Sequence, residues 1–165
     1  MNVDGSCCPE SCTITAGGVL RSAQKEWIQG FVLNKGLGNA LETELWGMFE
    51  GLNMAWKVGF KKVIAETDSA TIVHMLGTDT NPNHPFFSLI QSCKEIVNGD
   101  WSCIVKHVYR EGNSLADGLA RMGHKMERGV KFFDSPPNDV RSIFDYDFRG
   151  TSCVRQCLET TMVIS

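Results

Sequence analysis

Four carboxylates in this chain stand where acids are awkward to pack: Asp4, Glu44, Asp68 and Asp117. Asp4 follows Asn2-Val3, and Asp68 follows Lys62-Val63-Ile64-Ala65-Glu66-Thr67, so each falls at the end of an expected strand. Glu44 comes after Leu41 and before Met48, beside the apolar face of an expected helix. Asp117 sits between Ala116 and Leu119-Ala120, again at the edge of an apolar stripe. Each has a local explanation. Asp4 can be a frayed end, Glu44 the rim of a buried face, Asp68 a helix cap and Asp117 a favourable charge near a helix N-terminus. The joint explanation is different. If the strands at 1–4 and 62–67 are neighbours, their terminal carboxylates converge. Converged carboxylates repel and are costly to bury unless a cation lies between them. An all-oxygen set suits Mg²⁺ or Mn²⁺, not zinc.

The elements that must position these acids can be read from periodicity. Residues 1–4 form a first strand beside a hairpin built from Gly17–Arg21 and Glu26–Leu33. Leu41, Leu45, Met48, Leu52 and Ala55 recur at helical spacing, with Asn39 as cap and Gly59 as stop. A buried parallel strand follows at Lys62–Ala65, then helices over Ser69–Leu76 and Phe86–Val97. Trp101–Val108 is a strand, and Asn113 caps a helix carrying Leu115, Ala116, Leu119 and Ala120. The order predicts an α/β layer fold with a mixed sheet over residues 1–123. Residues 124–165, with a Pro-Pro pair and no long periodicity, are expected to be an irregular extension.

Composition limits the function classes. The 165 residues suffice for one domain with a core. A net charge of −3 is too small for a generally basic nucleic-acid binder, so any such attraction must come from local patches. Seven cysteines without a basic, apolar leader point to a reducing intracellular compartment rather than a disulfide framework. No nuclear-import cluster separates nucleus from cytoplasm. Cys7, Cys8 and Cys12 have no histidine nearby to make a zinc set. No run is long enough to span a membrane. A monomer is expected.

The segments Asn2-Val3-Asp4-Gly5-Ser6, Gly17-Gly18-Val19-Leu20-Arg21, Glu42-Thr43-Glu44-Leu45-Trp46, Glu66-Thr67-Asp68-Ser69 and His107–Asp117 come in an order that resembles the type 1 ribonuclease H domain. More narrowly, the chain is similar to plant ribonuclease H-like proteins related to non-LTR retrotransposon reverse transcriptases. The resemblance implies a five-stranded mixed sheet in the order 3-2-1-4-5, with helices on both faces. It implies metal-dependent hydrolysis of the RNA strand of RNA–DNA hybrids. Asp4, Glu44, Asp68 and Asp117 would hold two Mg²⁺ (or Mn²⁺) ions, and His107 would assist proton transfer or product release. Gly5, Ser6, Asn39 and Arg110 are the expected substrate contacts.

Two departures qualify the resemblance. The first strand starts almost at Met1, and a stub would lose ladder hydrogen bonds worth several kcal/mol against a total of about 5–15. That opens a rival reading: a weakly active or inactive nucleic-acid-binding module of the same fold, or an N-terminally truncated product. The segment Thr78–His84 also lacks lysine and arginine, leaving phosphate contacts to Lys57, Lys61, Lys62, Arg110, Arg121 and Lys125.

Overall fold

The structure is a computed structural model that describes residues 1–161, with side chains through residue 150. Residues 162–165 of the expected extension lie outside the described residues. Strands β1 (Asn2–Cys7), β2 (Thr13–Arg21) and β3 (Trp27–Leu37) form an antiparallel meander. Strands β4 (Lys62–Thr67) and β5 (Ser102–His107) pair in parallel, and β4 joins β1. With β6 (Gly129–Phe133) the sheet runs β5-β4-β1-β2-β3-β6.

The expected order 3-2-1-4-5 is therefore present, and the count of five is corrected to six. The added strand pairs antiparallel with β3, from Gly30 opposite Phe133 to Asn34 opposite Gly129. It falls in the stretch expected to be irregular, which also holds helix α5 (Asn138–Thr161). Five residues with Val130 and Phe132 largely exposed give no clear alternation, so the pattern hid the strand.

The first strand is also longer than expected. Asn2-Val3-Asp4-Gly5-Ser6 suggests a strand end and a turn, but β1 continues through Cys7, with Cys7 opposite Ile14. Asp4 is therefore mid-strand, opposite Gly17. Nor is β1 a loose stub. The Met1 amine donates to Ile64 O at 2.8 Å, and Glu66 N donates to Met1 O at 2.8 Å. Ladder partners on both sides replace the loss expected for a short first strand.

Helix α1 (Ala40–Val58) forms where its apolar spacing predicts. Asn39 accepts from Glu42 N at 3.0 Å, and Gly59 ends the helix at a φ of 94° that disfavours any side chain. Helices α2 (Ala70–Gly77) and α3 (Phe87–Val97) share its face of the sheet. Adjacent strand residues divide between the layers. Val3, Leu20 and Phe31 pack with Leu45, Met48, Leu52, Ile72 and Ile90, while Val19 and Val32 pack with Leu115, Leu119 and Val140 on the other face. That second layer is α4 (Ser114–Met122) and α5. Helices thus cover both faces, as expected.

Missing side chains set two helices close to the strands. A Cβ on Gly5 would meet Thr43 Cγ2 at 2.6 Å, and one on Gly17 would meet Ala120 N at 2.3 Å. Glycine at these positions lets α1 approach β1 beside Glu44, and α4 approach β2 beside Asp4. Gly17→Ala is expected to cost about 1–3 kcal/mol in urea unfolding, because the clash is with backbone. Gly112→Ala, which meets nothing within 4 Å among the described residues, is the control. Equal losses for the two would mean that α4 does not rest on Gly17.

Candidate active site

Three elements bring three carboxylates to one point. Asp4 extends from the middle of β1, Glu44 from the first turns of α1, and Asp68 follows the last residue of β4. One oxygen from each lies within 4.8 Å of the other two. Local bonds hold these groups. Gly5 N donates to Asp4 Oδ1 at 2.9 Å. Thr43 Oγ1 donates to Thr15 O at 2.5 Å, which ties the start of α1 to β2 beside Glu44. Ser69, not Asp68, caps α2, and this leaves the Asp68 carboxylate available.

Burial makes the cluster electrostatically strained. Asp4 is 5% exposed. Its carboxyl is pushed up to about 7, first by burial and then by the charges of Asp68 and Asp117, against a lowering bond from Gly5. Glu44 is pushed up to about 8 by burial, then by Asp4 and Asp68, with Gly5 and Arg110 opposing. Glu44 Oε2 is buried and has no hydrogen-bond partner among the described residues. Three converging carboxylates with an orphaned buried oxygen fit a hard divalent cation such as Mg²⁺ or Mn²⁺. The donor set offers no nitrogen or sulfur for zinc.

The remaining expected site residues are distributed around this cluster. Asp117 lies in the first turn of α4, near enough to raise Asp4 but outside the group of three, and Arg121 Nε pairs with it at 3.1 Å. His107 ends β5; its exposed ring places Nε2 3.2 Å from Asp68 O and stacks edge-on with Tyr109. Arg110, 86% exposed, reaches Asp68 Oδ2 at 3.5 Å. Gly5 underlies Glu44, and Asn39 stands at the start of α1 with its side-chain oxygen committed to the cap. Ser6 Oγ and His124 Nε2 are hydrogen-bonded at 2.9 Å.

The sequence pattern did not mark His124, Thr43 or the destination of Asn113. A lone histidine after a helix and a threonine inside one carry no spacing signal. Three of the proposed phosphate contacts are displaced. Lys57, Lys61 and Lys62 lie at the far end of α1 and the start of β4, about 20 Å along the strand from Asp68. Arg110, Arg121 and Lys125 are the cations of that set on elements beside the cluster.

The profile of the reverse transcriptase-like family matches residues 2–123. The chain belongs to the reverse transcriptase-like family. An Arabidopsis thaliana protein named as a ribonuclease H protein is 37% identical over 156 residues, which is 94% of this chain. The chain spans about a quarter of that relative's length. Ribonuclease H1 from Halobacterium salinarum superposes with a TM-score of 0.69 at 21% identity, covering 75% of this chain and 95% of that one. The N-terminal ribonuclease H domain of a Mycobacterium tuberculosis protein gives 0.68 at 21% identity, covering 74% and 90%. LC11 ribonuclease H1, solved with an RNA/DNA hybrid, gives 0.66 at 17% identity, covering 73% and 92%. These likenesses show a ribonuclease H fold. In this member of the reverse transcriptase-like family, β6 and α5 lie beyond the segment that the profile matches.

The raised carboxyls give a sign for pH. Their contribution to stability is full below the ordinary carboxylate range and is lost as pH rises through about 7 for Asp4 and about 8 for Glu44. The Met1 amine, held down to about 6 chiefly by burial, acts in the opposite direction. The parent is therefore compared with Glu44→Gln. Between about pH 5.5 and 8.5 the metal-free parent should lose more Tm than the variant, and saturating Mg²⁺ should reduce that difference. Parallel Tm curves would mean that Glu44 does not carry this strain.

Proposed function

We propose that this chain hydrolyses the RNA strand of RNA–DNA hybrids in a divalent-metal-dependent reaction. The observation that carries the reading is the convergence of Asp4, Glu44 and Asp68 from three separate elements around a buried oxygen that has no partner among the described residues. Membership of a family with a ribonuclease H-named relative supports it.

Asp4, Glu44 and Asp68 would hold the metal, with Asp117 completing the set from α4. Two divalent ions bound there would supply Lewis-acid activation of water and stabilisation of the leaving oxygen. The Gly5 N–H fixes the rotation of the Asp4 carboxylate, so the ligand oxygen is oriented before binding. The guanidinium of Arg110, paired with Asp68 and otherwise in solvent, is free to turn to a substrate phosphate. His107 stands at the exposed rim with Nε2 against Asp68 O, and would assist proton transfer or product release. Gly5, Ser6 and Asn39 border the same side and suit contacts to 2′-hydroxyls across a minor groove, which would separate RNA from DNA.

The test is cleavage of a labelled RNA–DNA hybrid with Mg²⁺ or Mn²⁺ and with EDTA, beside single-stranded and double-stranded RNA. The hybrid alone should be cut, and only with metal. Asp68→Asn should reduce the rate at least about a hundredfold while leaving the Tm within a few degrees. Metal-dependent binding of the hybrid without product would replace this reading with the binding module. Undiminished cutting by Asp68→Asn would remove Asp68 from the metal set.

A further inference from the structure

Asn113 precedes α4 but does not cap it: its side chain makes no capping bond. It is 1% exposed. Its Nδ2 donates to Val3 O at 2.9 Å, the carbonyl of the peptide that leads into Asp4. Its Oδ1 accepts from Asn2 Nδ2 at 3.3 Å. Asn2, also buried, donates to Glu66 Oε2 at 3.0 Å, two residues before Asp68 on β4. The Asn2 Oδ1 accepts from Arg21 Nη2 at 2.8 Å. Arg21 is ion-paired with Asp147 of α5, and Lys25 reaches the same carboxylate at 3.4 Å.

A continuous polar relay thus runs from α5 through β2 to β1, β4 and the start of α4. Of those last three elements, β1 and α4 carry Asp4 and Asp117, and β4 leads directly into Asp68. The relay touches the backbone or the near neighbours of these acids, and none of its members belongs to the carboxylate cluster itself. Its asparagines are sequestered from water, where a half-satisfied amide is costly and a satisfied network is rigid. The Arg21 side chain is 10% exposed, so its ion pair is less screened than a surface pair.

We propose that Asn2, Asn113 and the Arg21–Asp147 pair are positioning residues for the metal-binding carboxylates, so that helix α5, outside the segment shared with the family profile, sets the metal affinity of the site. The proposal rests on the metal-site reading above. It does not require that the bound substrate be a hybrid.

The test measures Mn²⁺ binding to the full, substrate-free chain by titration calorimetry. The variants are Asp147→Ala, Asp147→Glu and, as a control for loosened packing, Phe144→Leu. Phe144 packs edge-on against Trp27 at 5.8 Å and has no part in the relay. Asp147→Ala should weaken Mn²⁺ binding about three- to tenfold, less than the 10–100-fold typical of a group bonded directly to a ligand. Asp147→Glu should restore most of that loss. Phe144→Leu should lower the Tm by a similar amount and leave the Mn²⁺ affinity unchanged. With a hybrid substrate, Asp147→Ala should raise the metal concentration for half-maximal rate without changing KM for the hybrid.

A lower Tm with unchanged Mn²⁺ affinity in Asp147→Ala would overturn the proposal and leave α5 as packing alone. An equal affinity loss in Phe144→Leu would overturn it too, since packing rather than the relay would carry the effect. A parent chain that binds no Mn²⁺ would overturn both readings. If the parent binds Mn²⁺ with the expected pattern and cuts no hybrid, the hydrolase reading fails and the positioning relay stands.

Discussion

Burial of carboxylates, together with the repulsion among them, is the constraint on which this site depends. Holding Asp4, Glu44 and Asp68 together away from water disfavours their charged forms, first through burial and then through their neighbours' charges. They remain together because the supporting contacts are stiff and numerous. β1 is paired on both sides, Thr43 ties α1 to β2, and Gly5 and Gly17 let helices approach where a methyl group would hold them off. The folding free energy of the two apolar layers is spent in part on keeping like charges together. That is the physical form of a site prepared for a cation before the cation arrives.

Much of this arrangement was legible in the sequence because it depends on period. Leu41, Leu45, Met48 and Leu52 define the buried stripe of α1, and Glu44 at its margin follows from that register. Convergence of Asp4 and Asp68 followed from expecting β1 and β4 to be neighbours. The extent of β1 was not legible. Gly5 and Ser6 carry turn chemistry, yet tertiary pairing with Ala16 and Thr15 overrides it. β6 was hidden for a related reason: an edge strand with exposed Val130 and Phe132 does not need the alternation that marks a half-buried strand.

Side-chain destinations were the least legible feature. Asn113 occupies a cap position by sequence, yet its amide turns inward to Val3 and Asn2. Asp117 also pairs with Arg121, a partner that its place in the acidic set did not announce. Lys57, Lys61 and Lys62 were grouped with the site by charge alone, though they sit at the opposite end of the sheet. A residue type and a position along one element do not determine which other element it will meet. That information lies in contacts between residues far apart in the chain.

The Arg21–Asp147 pair joins residues 126 positions apart. A ribosome releases the chain from its N-terminus, so β1 to β5 and α1 to α4 leave the exit tunnel before the middle of α5 does. The meander β1–β2–β3 and helix α1 can form early, from local contacts. The Asn2 amide must then wait, with Arg21 beside it and no Asp147 to anchor the guanidinium. The relay therefore closes only after the elements that carry Asp4, Glu44 and Asp68 have been synthesised, and a nascent chain holds those acids before it holds the clamp behind them.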